Sequence, residues 1–176
     1  MASIYRPSED SFLLAECVRH YRGKGALEIG VGSGIILEAL QDHFEFVAGT
    51  DIDLEALRLC KSRSRSAMLV CCDAAFAFSP ASKFDLVVTN PPYLPDDIGA
   101  FDRTVDGGPK GIEATVRFVL SALPLLAAAG RILVVISSIA ETCSFEDLVA
   151  REKLTKKVVK EKKLFYETLS AVELSR

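Results

Sequence analysis

A disulfide framework or a metal centre has little to work with in this 176-residue chain: five cysteines, two histidines and no Cys-x-x-Cys spacing. An odd cysteine count argues against a closed disulfide set, and His20 and His43 add too few ligands for a zinc site. Cys17, Cys60, Cys71, Cys72 and Cys143 stand among small, mostly apolar residues and read as buried thiols of a reducing cytoplasm. The longest apolar run, near Leu123 to Ala129, is too short to span a membrane. Arg6, Glu9 and Asp10 interrupt the N-terminus before any apolar stretch develops, so no signal peptide is expected. A net charge of −3 gives the whole chain no attraction to nucleic acid. Positive charge is densest in two runs, Arg58, Lys61, Arg63 and Arg65, then Arg151, Lys153, Lys156, Lys157, Lys160, Lys162 and Lys163. They read as solvated helix ends and an exposed hairpin. With no internal repeat, low-complexity tract or linker, residues 1–176 are read as one domain, long enough to bury a core.

What the chain does have is alternation. Apolar runs predict strands at Ala26–Ile29, Phe44–Gly49, Ala67–Cys71, Phe84–Thr89 and Arg131–Ser137. Helical spacing predicts helices at Glu9–Arg19, Gly34–Asp42, Leu54–Arg63, Gly111–Ala128 and Phe145–Lys153. Asp85–Val88 and Ile132–Ile136 are dominated by continuous apolar residues, as in strands covered on both faces. Strands of that kind alternating with helices give a parallel, doubly wound α/β sheet. The tail departs from the pattern. Lys157–Lys163 and Glu167–Leu174 read as two successive strands, hence an antiparallel hairpin. That ending is the arrangement of Rossmann-like methyltransferases.

In open α/β sheets ligands bind beyond the carboxyl ends of the strands. The first strand there runs into Glu28-Ile29-Gly30-Val31-Gly32-Ser33-Gly34. Glycines at this turn let the backbone approach a ligand closely, but nicotinamide and flavin enzymes carry similar loops. Two details differ: the spacing is G-x-G-x-G, and Glu28 would repel a pyrophosphate. An acid there suits S-adenosylmethionine, which has an ammonium and a sulfonium and no phosphate. The second strand ends at Asp51-Ile52-Asp53. Asp51, with Ile52 beside it, is placed to accept from ribose hydroxyls, and Asp53 to cap the next helix. After the third strand, Asp73 is placed to accept from an adenine amino group, and Ala74 to offer its N–H.

The fourth strand ends in Asn90-Pro91-Pro92-Tyr93. An amide or aromatic amine is a poor nucleophile because its lone pair is delocalised. The Asn90 side-chain oxygen and the Pro91 carbonyl can accept its two N–H groups and leave the lone pair aimed at a methyl group. Pro91 and Pro92 restrict the residues before them to extended conformations, which fixes those acceptors. Tyr93 can stack on the planar group. The loop Leu94–Lys110, with Gly99, Gly107 and Gly108, follows directly and is expected to recognise the substrate.

These residues resemble the amino-group methyltransferases, which include adenine-modifying enzymes and the HemK-type glutamine methyltransferases of translation release factors. The opening Tyr5-Arg6-Pro7-Ser8-Glu9-Asp10-Ser11-Phe12-Leu13-Leu14 looks like that of the archaeal and eukaryotic HemK-type branch. Asp106-Gly107-Gly108 with Gly111, and Lys163-Leu164-Phe165-Tyr166-Glu167, are similar to that branch as well. The resemblance implies a seven-stranded, mostly parallel sheet of order 3-2-1-4-5-7-6, with helices on both faces and no separate N-terminal substrate domain. It implies that Ser11 contacts the cofactor, with Glu28, Gly30, Gly32, Gly34, Asp51, Ile52, Asp73, Ala74 and Asn90. It implies methyl transfer to a glutamine in the Gly-Gly-Gln loop of a class-1 release factor, with adenine in RNA or DNA as the alternative. A cofactor-binding subunit without catalysis is a third reading, which the intact Asn-Pro-Pro-Tyr disfavours. The relatives also pair with a small zinc-binding activator. The strand Ala67–Cys71, an apolar edge with no charge, proline or bulge, is the expected place for such a guest.

Overall fold

The computed structural model describes residues 7–64, 66–95 and 104–176. Tyr5 and Arg6 of the opening motif, Arg65 of the first basic run, and residues 96–103 of the expected recognition loop lie outside them. Helix α1 (Glu9–Val18) precedes β1 (Gly23–Ile29), α2 (Ile35–Gln41), β2 (Phe44–Asp51), α3 (Leu54–Arg63), β3 (Met68–Cys71) and β4 (Phe84–Thr89). Two short strands, β5 (Leu94–Pro95) and β6 (Asp106–Gly108), pair with each other. Then come α4 (Glu113–Ala122), a 3-10 turn (Leu123–Leu125), β7 (Leu126–Ser137), α5 (Cys143–Arg151), β8 (Thr155–Lys163) and β9 (Thr168–Ser175).

The main sheet has seven strands in the order β3-β2-β1-β4-β7-β9-β8. Counted along this sheet alone, that is the order 3-2-1-4-5-7-6 that the resemblance implies. The five strands from β3 to β7 are parallel, and β9 runs antiparallel to both β7 and β8. The apolar continuity of β7 has a direct cause. Ile132 and Val134 pack with Val119, Phe145 and Leu148 from α4 and α5. Leu133 and Val135 pack with Leu13, Leu14, Leu37 and Leu57 from α1, α2 and α3. Alternate side chains of one strand thus enter two different cores.

One helix ends early. The expected Gly111–Ala128 helix stops at Ala122, and β7 begins at Leu126 rather than Arg131. Pro124 lies in the 3-10 turn, where it lacks an N–H and disfavours helix in the residue before it. Leu126 then pairs with Phe84, and the register shifts before Leu86 meets Arg131. The expectation of five buried thiols also fails. Cys17 and Cys60 are buried, but Cys71 and Cys143 are exposed and Cys72 is half-buried. Cys71 sits on an edge strand, and Cys143 opens α5 on its solvent side.

The basic runs are solvated as expected. On β8 a register shift between Val158 and Lys160 turns the lysines to two sides. Lys156 pairs with Glu146 of α5, whereas Lys160 and Lys162 pair with Glu16 and Glu9 of α1. No helix among the described residues is long and apolar enough to cross a membrane.

Candidate active site

The carboxyl ends of β1, β2, β3 and β4 surround a cavity of about 660 Å³, a size ordinary for a small ligand. Its floor is the glycine loop. Gly30, Gly32 and Gly34 have φ of 78°, 45° and 84°, a region that a Cβ disfavours. The N–H groups of Gly30 and Val31 both donate to the Thr50 carbonyl, at 2.8 and 2.9 Å, which folds the loop over the end of β2. Cys60 packs beneath it: a Cβ on Gly34 would lie 2.8 Å from the Cys60 sulfur.

Asp51 ties this loop to the next. Its Oδ2 accepts from Gly32 N–H at 2.9 Å and its Oδ1 from Asp53 N–H at 2.8 Å. Burial raises the Asp51 pKa, and those two hydrogen bonds oppose the rise. Asp53 caps α3, its side chain accepting from Glu55 N–H at 2.9 Å. Glu28 is 1% exposed, and burial, then the neighbouring Asp51 charge, push its pKa well above the usual carboxylate range. A backbone hydrogen bond from Leu37 acts the other way.

The charge on the wall selects a class of ligand. Asp10, Glu28, Asp51, Asp53, Asp73 and Asp106 line the cavity, and Arg117 is the one basic residue among the described lining residues. A phosphate-bearing cofactor would meet carboxylates on most sides, whereas a cationic, phosphate-free one meets complementary charge. Five buried side-chain polar atoms have no hydrogen-bond partner among the described residues, and three of them belong to residues that line this cavity: Glu28 Oε2, Thr50 Oγ1 and Asn90 Oδ1. Buried polar atoms of this kind are costly unless a ligand satisfies them. The residues therefore fit S-adenosylmethionine. Glu28 would face its cationic part, Asp51 its ribose, and Asp73 with Ala74 its base.

Glu28 yields a test that needs no turnover. A carboxyl with a raised native pKa holds its proton in the folded chain and releases it on unfolding. Stability of the ligand-free protein therefore falls as pH rises from the ordinary carboxylate value towards the native one. Glu28→Gln should remove this slope and raise the ligand-free melting temperature near neutral pH, by about 2–4 °C per kcal/mol recovered. The same change should weaken binding of a cationic ligand. Melting curves with the same pH slope for both proteins would take Glu28 out of this role.

The Asn90–Tyr93 loop is set by α1. Asp10, 2% exposed, accepts from the Ser11 N–H at 2.5 Å, the Ser11 hydroxyl at 3.2 Å and the Tyr93 hydroxyl at 3.0 Å. Ser11 Oγ in turn accepts from Asn90 Nδ2 at 3.4 Å. The direction of donation is fixed along this chain: Asp10 accepts, Ser11 donates to it, and Asn90 must donate to Ser11. Asn90 lines the cavity, and its Oδ1 is left as a buried acceptor without a partner among the described residues. Pro91, Pro92 and Tyr93 line the same space.

The other expected residues are also at the rim, with differences. Ser11 is on the wall, and its described partners are Asp10 and Asn90. Asp73 is half-exposed and paired through Oδ1 with Arg117 Nη2 at 2.6 Å. Ala74 has φ 46°, a positive value rare without glycine, and Ile52 is 54% exposed at the mouth. Sequence reasoning missed Asp10, Thr50, Arg117 and Phe118. It also left Asp106-Gly107-Gly108 and Gly111 unexplained. A Cβ on Gly107 would lie 2.5 Å from the Pro92 carbonyl, and one on Gly111 2.4 Å from that of Tyr93. These glycines let β6 and the turn after it press against the backbone of the Asn-Pro-Pro-Tyr loop. Two glycines, 14 and 18 residues beyond Tyr93, are the only sequence signal of that support.

Comparison with known proteins places the same fold among methyltransferases. Residues 27–91 match the family model described as a methyltransferase domain. The chain is 32% identical over 124 residues to a candidate protein N5-glutamine methyltransferase of Methanocaldococcus jannaschii, covering 66% of this chain and 63% of that protein. It is 33% identical over 126 residues to the release factor glutamine methyltransferase of Bradyrhizobium diazoefficiens, covering 61% of this chain and 41% of that one. The chain thus spans less than two thirds of each of these relatives. Among solved structures, a chain of the E. cuniculi Mtq2–Trm112 complex, which methylates the eRF1 translation termination factor, superposes with a TM-score of 0.77. Identity there is 26%, and 98% of both chains is covered.

Proposed function

We propose that this chain, a class I methyltransferase akin to the release-factor glutamine methyltransferases, moves a methyl group from S-adenosylmethionine to the side-chain amide nitrogen of a protein glutamine. The observation that carries the reading is Asn90, a cavity-lining residue whose Oδ1 is a buried acceptor without a partner among the described residues while its Nδ2 is committed to Ser11. A primary amide offers two N–H groups. Asn90 Oδ1 takes one and the Pro91 carbonyl the other, which draws electron density onto the nitrogen and sets its orientation. Tyr93, anchored by Asp10, supplies a flat face for the amide plane. The bound cofactor supplies a methyl group on a positively charged sulfur. The protein's own contribution is then positioning in a cavity lined with fixed dipoles.

The acceptor is assigned to a class-1 release factor, the substrate class of the relatives, in a cytoplasmic setting. The assay is radiolabelled S-adenosylmethionine with a purified release factor beside total RNA. Label is expected in the protein, on glutamine. Label in RNA alone would replace this reading with an adenine methyltransferase.

An activator subunit belongs to the proposal. The sheet has two open edges, and they differ in chemistry. β8 carries Lys156, Lys157, Lys160, Lys162 and Lys163 and a register shift, features that deter strand addition. β3 carries Met68, Leu69, Val70 and Cys71 in unbroken register with β2, and Met68 is 41% exposed. We assign β3 as the edge to which a small zinc-binding subunit adds a strand. Leu69→Lys should abolish co-purification of that subunit while the chain stays folded. Undiminished recruitment by the folded variant would move the interface elsewhere.

A further inference from the structure

The turn between β8 and β9 is built unlike an ordinary surface turn. Phe165 is 90% exposed and Tyr166 87%, the two most exposed large hydrophobic side chains among the described residues. Their rings contact each other edge to face, with centroids 4.6 Å apart. The backbone carrying them is clamped. Leu164 N–H donates to the Glu167 carbonyl at 2.8 Å, closing the turn. Ser137 Oγ donates to Glu167 Oε2 at 2.5 Å, and Thr168 N–H to Ser138 Oγ at 2.9 Å. Ser138 N–H returns a bond to the Thr168 carbonyl at 3.0 Å. Leu164 anchors the turn in the core on the α1 side of the sheet. Two aromatic rings on a fixed support lose little freedom when a partner covers them, and aromatic residues dominate the centres of protein interfaces.

The strand register gives the turn's location. Thr89 of β4, the residue before Asn90, is level with Val134 of β7. Three residues further along β7, Ser137 is level with Leu169 of β9. At about 3.3 Å per residue and 4.8 Å per strand, the turn begins roughly 10 Å above and 10 Å to the side of Thr89. It therefore overhangs the same rim as the Asn90 loop. Phe12, 50% exposed and adjacent to Ser11, and Ile139, 42% exposed just beyond the end of β7, stand on that rim too.

We propose that Phe165 and Tyr166, flanked by Phe12 and Ile139, are the docking surface for the folded body of the protein that presents the acceptor glutamine. The proposal rests on the glutamine reading above. Its occupant follows from size. A small domain of about 100 residues has a radius of gyration near 13 Å, so a folded protein inserting a loop side chain at Asn90 has a body wide enough to cover a turn at this distance. A free peptide of a few residues need not reach it. The turn lies at the opposite end of the sheet from β3, so the two partners do not compete for one surface.

The test compares two substrates on one double variant, Phe165→Ser with Tyr166→Ser. Both positions are exposed, so the melting temperature and the affinity for S-adenosylhomocysteine should match those of the parent. Methylation of a short synthetic peptide carrying the acceptor glutamine should be unchanged. For the folded release factor, kcat/KM should drop at least tenfold, chiefly through KM, and direct binding in the presence of S-adenosylhomocysteine should weaken in parallel. The single substitution Tyr166→Phe, which keeps both rings, should show little of that loss. Unchanged KM and binding for the folded protein would overturn the proposal, as would an equal loss on peptide and protein. A variant that loses only self-association in sedimentation would assign the turn to a second copy instead. A parent protein that labels neither glutamine substrate would refute the glutamine reading itself, a different failure.

Discussion

Asn90→Ala should lower turnover by on the order of 10²–10³ while leaving the affinity for S-adenosylhomocysteine near that of the parent. The physical content lies in the combination. Asn90 Oδ1 is buried without a partner among the described residues, and an unsatisfied acceptor of this kind destabilises the fold it sits in. Removing it should leave the melting temperature unchanged or slightly higher. A residue whose deletion costs catalysis but not stability serves the reaction and not the scaffold. Each tenfold of lost rate corresponds to about 1.4 kcal/mol of transition-state stabilisation. Turnover within a few-fold of the parent would refute the proposed acceptor geometry. A large fall in melting temperature would instead make Asn90 a structural link between α1 and β4.

Asp51→Ala should show the opposite signature, with cofactor affinity and stability falling together. The carboxylate holds Gly32 N–H and Asp53 N–H, so its removal frees the glycine loop from the end of β2 and unties the cap of α3. It also removes the acceptor assigned to the ribose, and hydrogen bonds to a charged group are worth about 1.5–3 kcal/mol. An affinity loss of at least about 10–100-fold follows from the ribose contact alone, and loop disorder adds to it. Asp51→Asn keeps one carbonyl acceptor and should fall between parent and Ala. Calorimetry showing unchanged affinity in a folded Asp51→Ala protein would remove Asp51 from the site.

The two substitutions separate because the residues stand at different depths in the construction of the site. Asp51 belongs to the cradle, bonded to backbone on both sides. Asn90, a residue of the cavity lining, is bonded through Nδ2 only, and its Oδ1 is buried without a partner among the described residues. Glu28 is intermediate: a buried acid that weakens the ligand-free fold and whose charge a cationic ligand would stabilise. Each behaves as its hydrogen-bond partners dictate, and those partners come from other elements.

Much of this was legible in the chain itself because the information is local. Apolar continuity marked β4 and β7, since a strand inside a doubly wound sheet must be apolar on both faces. The short spacings Gly30-x-Gly32-x-Gly34 and Asn90-Pro91-Pro92-Tyr93 marked two loops that line the cavity, because each depends on neighbours in sequence. The lysines of Lys157–Lys163 marked a solvated edge. Tertiary structure alone decided which atom of Asn90 is left without a partner, since that orientation runs through Ser11 and Asp10, 79 residues away for Ser11 and, from Tyr93 to Asp10, 83 residues away. It alone set Arg117 against Asp73 and pressed Gly107 and Gly111 against the carbonyls of Pro92 and Tyr93. It exposed Cys71 by leaving β3 at an edge, and Phe165 and Tyr166 by clamping their turn above the rim. Residue type fixes what a group can donate, accept or bury, whereas the partner that uses that capacity is chosen by which distant strands and helices the sheet order brings together.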